Sequence, residues 1–125
     1  MIVRRELPGD VDAIAAVHRA AFAIDDGSEP VEVGLVEQLR ADDSWIPELS
    51  MVCSDDDGVI GHVCLTRATV GWRNVLALGP IGVTTTDQRA GVGSALMHAC
   101  IGAADALGET LIGLRLEALA RAGIV

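Results

Sequence analysis

The sequence predicts an α+β domain built on a mixed, mostly antiparallel sheet that is flanked by helices. Two segments with helical spacing of apolar residues come first, then short β-type segments separated by turn residues, then a strand-loop-helix unit at residues 76–107. Strands joined by short turns pair antiparallel, whereas a strand-to-helix crossover returns the chain parallel. With 125 residues, we expect a single domain spanning residues 1–125 around one hydrophobic core.

Charge and hydropathy narrow the classes of function. The chain has 9 basic and 18 acidic residues and a formal net charge of -9. An acidic surface repels phosphate backbones, so we expect no nucleic-acid partner. No apolar run reaches transmembrane length, and the N-terminus lacks the apolar centre of a signal peptide, so we expect no membrane association and a cytoplasmic location.

The thiols and acidic turns are not predicted to bind metal. Three cysteines lie in predicted strands or a predicted helix, lack metal-ligand spacing, and are interpreted as reduced core residues: Cys53, Cys64 and Cys100. The acidic run at residues 55–57 lacks the alternating ligands and distant Glu of a calcium loop, so it is interpreted as a solvated hairpin tip. His18 and His62 are interpreted as structural, with a catalytic base as the alternative for His18.

The first half of the chain is predicted to form a strand and two helices. Residues 2–5 are partly β-branched and favour a strand, and Asp10 is placed to cap a helix over residues 11–22. Ser28 is placed to cap a second helix that has a proline in its first turn and runs through Leu39. The two helices would pack their apolar faces on the sheet.

The middle of the chain predicts a hairpin followed by a further strand. Residues 49–53 alternate as a strand, the turn at residues 55–58 closes a hairpin, and residues 59–69 return. Residues 72–74 predict the next turn, which leads into a strand over residues 76–83. Each of these connections is short, so the strands are expected to pair antiparallel.

The strand over residues 76–83 is predicted to contain a bulge. Its apolar run is interrupted by Gly79 and Pro80 before it resumes with Ile81, Gly82 and Val83. Proline has no N–H for a ladder hydrogen bond and is tolerated in sheets mainly at edges or bulges. The backbone groups that the bulge frees are then available to a ligand.

A glycine-bearing loop connects this strand to a helix. The loop contains Arg89, Gly91 and Gly93, and apolar residues then recur at helical spacing until Gly108, where a helix C-terminus would place a left-handed residue. Such a loop presents several N–H groups at the positive end of the helix, and its glycines allow an anion to approach the backbone. Arg89 adds a full positive charge, and phosphate is the anion this arrangement favours.

These residues support a resemblance to a known family. Gln88-Arg89-x-Gly91-x-Gly93, after a strand ending Ile81-Gly82-Val83, resembles the acetyl-CoA pyrophosphate loop of the GNAT superfamily of N-acetyltransferases. The motif differs from the dinucleotide fingerprint GxGxxG and from the phosphate loop GxxxxGK[ST]. The resemblance implies an acyl-CoA N-acyltransferase-like fold, acetyl-CoA as cosubstrate, no metal, and cofactor contacts from Ile81, Gly82, Val83, Gln88, Arg89, Ala90, Gly91, Val92, Gly93 and Ser94. An ordinary tight turn and a core strand are the structural alternatives.

The resemblance implies transfer of an acetyl group to a primary amine of a small molecule or of a peptide or protein. The bulged strand would supply a backbone N–H to the oxyanion, and acceptor contacts would come from the two N-terminal helices and the loop between them. No catalytic residue is assigned, because the fourth strand has no acidic residue and the chain has no tyrosine, which family members often use as general acid. The carboxylates placed to contribute are Asp25, Asp26, Glu29 and Glu32.

The C-terminal segment departs from the family pattern. Residues 110–114 predict a fifth strand parallel to the fourth, but residues 115–125 do not resemble the helix and two strands that usually follow. We therefore expect the domain to be incomplete after about residue 114, with an exposed strand edge that favours a homodimer or poor solubility. Two other classes stay open: a catalytically degenerate or truncated acetyl-CoA-binding domain, and an α/β protein whose loop binds another phosphate ligand.

Overall fold

In the residues that the structure describes, the fold is a four-stranded antiparallel sheet with helices on both faces. The computed structural model describes residues 1–84, 86–88 and 90–108. The strands follow the order β1-β2-β3-β4 across the sheet. A 3₁₀ turn, Pro8–Asp10, follows β1, and the main elements are β1 (Ile2–Arg5), α1 (Val11–Ala21), α2 (Val31–Ala41), β2 (Trp45–Asp55), β3 (Gly58–Val70), β4 (Arg73–Val83) and α3 (Val92–Ala106).

The predicted α+β class is confirmed. All three strand pairs of the described sheet are antiparallel. The parallel strand predicted at residues 110–114 lies outside the described residues, as does the segment after it that prompted the expectation of an incomplete domain. In the part of the chain that the structure describes, every helix is too short or too polar to cross a bilayer.

Side chains that alternate along the strands pack on two helical layers. On one face, α3 buries Leu96 and Cys100 in the larger core, together with Met51 and Cys53 of β2. On the other face, Val52 packs in a smaller cluster with residues of α1 and α2. Consecutive residues of a strand point to opposite faces, so β2 contributes to both layers.

Neither predicted helix cap makes a side-chain cap bond: Asp10 occupies the N-cap position of α1 without one, and the prediction for Ser28 is wrong. The carboxylate of Asp10 accepts a hydrogen bond from the backbone N–H of Leu7 at 2.7 Å and pairs with an arginine of β1, so it does not cap α1. Ser28 donates its backbone N–H to Asp26 Oδ1 at 2.8 Å, and the cap position of α2 is occupied by Pro30. Local turn contacts and one ion pair therefore use the groups that were expected to cap helices.

Two strand boundaries also differ from the prediction. Strand β2 begins at Trp45 rather than at residue 49. The turn between β3 and β4 is Gly71–Trp72, because Arg73 and Asn74 already pair with β3. Gly71 has a φ of 62°, a conformation that glycine adopts without a steric cost. The turn therefore begins one residue earlier than the predicted turn at residues 72–74.

The predicted bulge in β4 is confirmed. Val63 pairs with Ile81 and Leu65 pairs with Leu78, so two steps along β3 match three steps along β4. The additional residue falls at Gly79 and Pro80. An extra residue in one strand leaves part of that strand unpaired and bends it, as expected for a β-bulge.

The bulged strand lies directly against its neighbours because two of its contact positions are glycines, which have no β-carbon. A β-carbon at Gly79 would lie 2.5 Å from Cys64 Sγ of β3. One at Gly82 would lie 2.7 Å from His18 Nδ1 of α1. Both distances are shorter than van der Waals contact, so an alanine at either position would push the neighbouring side chain away.

We expect Gly79→Ala to lower the free energy of unfolding by about 1–3 kcal/mol, because overpacking forces side chains and backbone to shift. Part of that cost should disappear in a Cys64→Ala background, since the sulfur atom is the nearest obstacle. Urea denaturation of both single variants and the double variant measures this coupling. Gly102→Ala is the matched control, because a β-carbon there meets nothing within 4 Å and a helical alanine is favoured. Equal costs for Gly79→Ala in both backgrounds would contradict the contact.

Candidate functional site

The end of β4 carries backbone groups that face away from the sheet. Thr84 donates its N–H to the carbonyl of Ile60 at 2.9 Å, one position beyond the last pair of the β3–β4 ladder. In an antiparallel pair, residues alternate between facing the partner strand and facing away from it. The polar main-chain groups of Gly82 therefore face β3, whereas those of Ile81 and Val83 face the opposite edge of β4. No strand of the described residues pairs with this edge, which is called the open edge below.

The loop after β4 is tied back to the strand by a short turn. Thr84 Oγ1 donates to Asp87 Oδ2 at 2.7 Å, and the N–H of Asp87 donates to the carbonyl of Thr84 at 2.9 Å. The side-chain amide of Gln88 donates to the carbonyl of Val83 at 3.0 Å. That bond reaches the strand from the side opposite β3, which agrees with the orientation of the open edge.

The start of α3 is exposed and begins at a left-handed glycine. Gly91 has a φ of 83° at the cap position, and a β-carbon there would meet nothing within 4 Å. Gln88 and Ala90 are also exposed. A helix N-terminus carries a partial positive charge, and a β-carbon at Gly93 would lie 4.0 Å from Ile81 Cδ1, so the positive end of α3 lies beside the end of β4.

The predicted cofactor-binding residues form one continuous path. Nine of them are described, running from the end of β4 to the first turn of α3: Ile81, Gly82, Val83, Gln88, Ala90, Gly91, Val92, Gly93 and Ser94. Arg89 lies outside the described residues. Two of these residues differ from the others in which atoms are accessible. The side chain of Val92 belongs to the core, and the main chain of Gly82 faces β3.

A groove opens beside the bulge, between β4 and the two N-terminal helices. Its volume is about 570 Å³, within the range of small-molecule sites. Its lining is mostly apolar and consists of Phe22, Glu32, Leu35, Leu39, Thr66, Ala77, Leu78, Gly79, Pro80 and Ile81. Because Ile81 lines the groove and also belongs to the open edge, the two features meet at the bulge.

The four carboxylates that were considered from the sequence have different environments. Glu29 pairs with Arg19, and Asp26 accepts a backbone N–H from the loop. Asp25 is exposed on the surface. Glu32 is the one that lines the groove.

A chain of hydrogen bonds runs along the face of the sheet that α1 and α2 cover. His18 Nε2 lies 2.8 Å from His62 Nδ1, and His62 Nε2 lies 2.9 Å from Ser50 Oγ. Ser50 Oγ donates to Glu6 Oε1 at 2.8 Å, and Arg40 Nη2 donates to the same oxygen at 2.7 Å. The prediction that both histidines are packed is confirmed, since each is fully buried.

The hydrogen-bond partners fix the tautomers along this chain. The Ser50 hydroxyl donates to Glu6, so it accepts the N–H of His62 Nε2, and His62 Nδ1 then accepts the N–H of His18 Nε2. His18 Nδ1 is left with a lone pair and has no hydrogen-bond partner among the described residues. Burial lowers the pKa of His18 to about 4 and the pKa of His62 to about 3, which keeps both rings neutral.

The thiols lie away from the open edge and in the core. Cys53, Cys64 and Cys100 are buried and free, as predicted. Burial raises the pKa of the Cys64 and Cys100 thiols to about 12, which disfavours the reactive thiolate. Within residues 1–84, 86–88 and 90–108, no three His, Cys, Asp or Glu side chains come close enough to hold a metal ion.

The bulged fourth strand, the exposed glycine loop and the following helix define an acyl-CoA N-acyltransferase-like fold. A family model described as the acetyltransferase (GNAT) family matches residues 13–121, and the chain belongs to that family. The resemblance found in the loop motif is therefore confirmed at the level of the family. None of the curated protein sequences matches the chain.

Solved structures of acetyltransferases have the same fold. A GNAT family acetyltransferase from Brucella melitensis, in complex with acetyl-CoA, is 29% identical with a TM-score of 0.77, over 86% of this chain and 70% of that one. The apo aminoglycoside 6'-N-acetyltransferase of Acinetobacter haemolyticus is 16% identical with a TM-score of 0.66, over 98% and 88%. A histone acetyltransferase HPA2 and related acetyltransferase from Corynebacterium glutamicum is 20% identical with a TM-score of 0.60, over 82% and 70%.

We expect the free energy of unfolding to fall as the pH is lowered from 6.5 towards 4. The unfolded histidines bind protons below pH 6.5, whereas the folded ones stay neutral down to about pH 4 and about pH 3. Each histidine should contribute a slope of up to about 1.4 kcal/mol per pH unit. His18→Gln should remove one histidine's share, while His98→Gln, at an exposed position of α3, should not. Identical slopes for the two variants in urea titrations would contradict this assignment.

Proposed function

We propose that this chain transfers an acetyl group from acetyl-CoA to a primary amine of a small molecule or peptide. The observation that carries the proposal is the proximity of two backbone features. The strand end with the open-edge groups of Ile81 and Val83 lies beside the first turn of α3, where a β-carbon at Gly93 would lie 4.0 Å from Ile81 Cδ1. Membership of the acetyltransferase family supports acetyl transfer as the reaction.

The residues of this path fit the chemistry of acetyl-CoA. A helix N-terminus behind a glycine loop is suited to a pyrophosphate, and the open space around Gly91 permits close approach to the backbone. Arg89 would add a charged donor. The polar groups of Ile81 and Val83 would hold the amide-bearing arm of the cosubstrate, as a strand edge holds a further strand. The Brucella melitensis relative, whose structure contains acetyl-CoA, supports this assignment.

Acetyl-CoA, when bound, supplies an activated thioester carbonyl. The task of the protein is then to hold the carbonyl and the amine together, which contributes roughly 7–11 kcal/mol in well-oriented reactions. An N–H on the open edge at Ile81 or Val83 is the natural donor to the developing oxyanion. We assign no general base or acid, because β4 contains no acidic residue.

The amine would bind in the groove at the bulge. The groove adjoins the open edge at Ile81, so an amine in it would lie beside the strand that holds the thioester. The carboxylate of Glu32 favours an ammonium group there. Glu32 therefore contributes to binding the acceptor in this proposal.

A cytoplasmic location and a homodimer formed through an exposed strand edge are part of the same proposal. The edge expected to be exposed belongs to the strand predicted at residues 110–114, which lies outside the described residues, and an exposed edge favours pairing with another chain. Size-exclusion chromatography at several concentrations tests the dimer.

We expect Gly91→Val to weaken acetyl-CoA binding at least tenfold, because a β-branched side chain blocks the approach to the backbone and strains a left-handed position. Arg89→Ala should weaken it less, because it removes one charged donor and leaves the approach to the backbone open. Isothermal titration with acetyl-CoA measures both affinities.

Gly71→Val is the matched control, since Gly71 also has a positive φ and open surroundings but lies in the β3–β4 turn. This variant should have a lower free energy of unfolding but the same affinity for acetyl-CoA. Normal affinity in both loop variants would remove the loop from the site.

A thiol-release assay over a panel of amines separates an enzyme from a binding domain. Release that depends on an amine is the expected result. Acetyl-CoA binding without release would favour a catalytically degenerate domain. No binding of acetyl-CoA, together with binding of another phosphate ligand, would overturn the proposal.

A further inference from the structure

We infer that the acceptor is an amphipathic monoamine, one ammonium group on an alkyl or arylalkyl body, and that Glu32 in the groove selects it. This inference rests on the proposed function, because it names the class of amine that the same site would acetylate. It follows from the distribution of charge and apolar surface around the groove.

The walls of the groove are suited to an apolar body. Helix α2 contributes Leu35 and Leu39, which lie one and two turns beyond Glu32 on the same helical face. Phe22 at the end of α1 and the apolar part of β4 at Leu78 and Pro80 form the other walls. Transfer of apolar surface from water to such walls is favourable.

Glu32 is the one formal charge among the described residues that line the groove. Its side chain is partly buried, and it forms no ion pair within the described part of the chain. The hydroxyl of Thr66 is the other polar side-chain group in the lining. A partly buried carboxylate without a cation is complementary to a single ammonium group.

The cations near Glu32 are held elsewhere. Arg40, on the same helix, donates to Glu6 and lies over the ring of Trp45 at 5.1 Å. Arg19 of α1 pairs with Glu29. His18, a buried base that interacts electrostatically with Glu32, is kept neutral by burial, which lowers its pKa to about 4. None of these three groups forms an ion pair with Glu32.

The same features disfavour a polar polycation. Each additional ammonium or hydroxyl group would lose hydration against apolar walls without a partner, which is costly for a polar group and more so for a charge. The groove of this chain therefore favours a different acceptor from that in the name of the Acinetobacter haemolyticus relative, an aminoglycoside 6'-N-acetyltransferase.

A homologous series of amines tests the apolar walls. We expect the dissociation constants of n-butylamine, n-pentylamine and n-hexylamine, measured by calorimetry in the presence of acetyl-CoA, to fall about twofold to fourfold per methylene. The values of kcat/KM should rise in parallel. Ethanolamine and kanamycin should bind more weakly than n-hexylamine. A flat series, or tighter binding of kanamycin, would overturn the inference.

Two variants of α2 test the role of the carboxylate. Glu32→Gln keeps the shape and removes the charge, so we expect it to weaken n-hexylamine binding about tenfold or more. Glu37→Gln is the matched control, because it makes the same change on an exposed position of the same helix. Both variants should bind acetyl-CoA as the parent chain does. Equal amine affinity in the two variants would overturn the role of Glu32.

Leu39→Asn tests the apolar wall. In this variant the dissociation constant should change less with each added methylene, while the affinity for acetyl-CoA stays the same.

Direct amine binding separates this inference from the proposed function. Binding of n-hexylamine that depends on Glu32, without any thiol release, would support the groove assignment and overturn acetyl transfer. Thiol release with ethanolamine or kanamycin in preference to the alkylamines would support acetyl transfer and overturn the groove assignment.

Discussion

The absence of two β-carbons in β4 is the constraint on which the rest of the structure depends. Gly79 and Gly82 allow the strand to lie on Cys64 of β3 and on His18 of α1 at distances that no other residue would permit. Helix α1 can then sit close to the sheet and place Phe22 at the groove. The bulge at Gly79 and Pro80 directly precedes the residues whose backbone groups face the open edge. Sheet packing, groove and backbone path therefore share one local cause.

The strand-loop-helix unit could be predicted because its signals are local. Proline in an apolar run, glycine at a helix start and apolar residues at helical spacing each restrict the backbone directly, and the structure contains the bulge, the left-handed Gly91 and α3 that they indicate. The helix caps could not be predicted in the same way. Asp10 and Ser28 have suitable side chains for capping, but a nearby arginine and a tight turn use them first. Propensity at a single position is a weak guide when tertiary partners compete.

The groove and the buried hydrogen-bond chain depend on register, which the sequence alone does not give. Four acidic residues near the first two helices were equivalent candidates, and only the folded arrangement places Glu32 in the groove. The sequence indicated only that His18 and His62 are structural residues. Their contact requires the position of α1 over β3, and the link to Ser50 requires the pairing of β2 with β3. Long-range pairing therefore determines the chemistry that local patterns leave open.

The position of Cys64 beneath the bulge makes this thiol a built-in reporter of strand opening. It is 1% exposed and lies against the backbone at Gly79, so an alkylating reagent can reach it only when β4 lifts from the sheet. When the strand recloses quickly, its labelling rate is the population of that open state multiplied by the intrinsic rate of the free thiol, so the ratio of the two rates gives the population. The opening free energy of the strand that borders the groove can thus be read from the unmodified chain, at a residue that takes no part in the proposed binding.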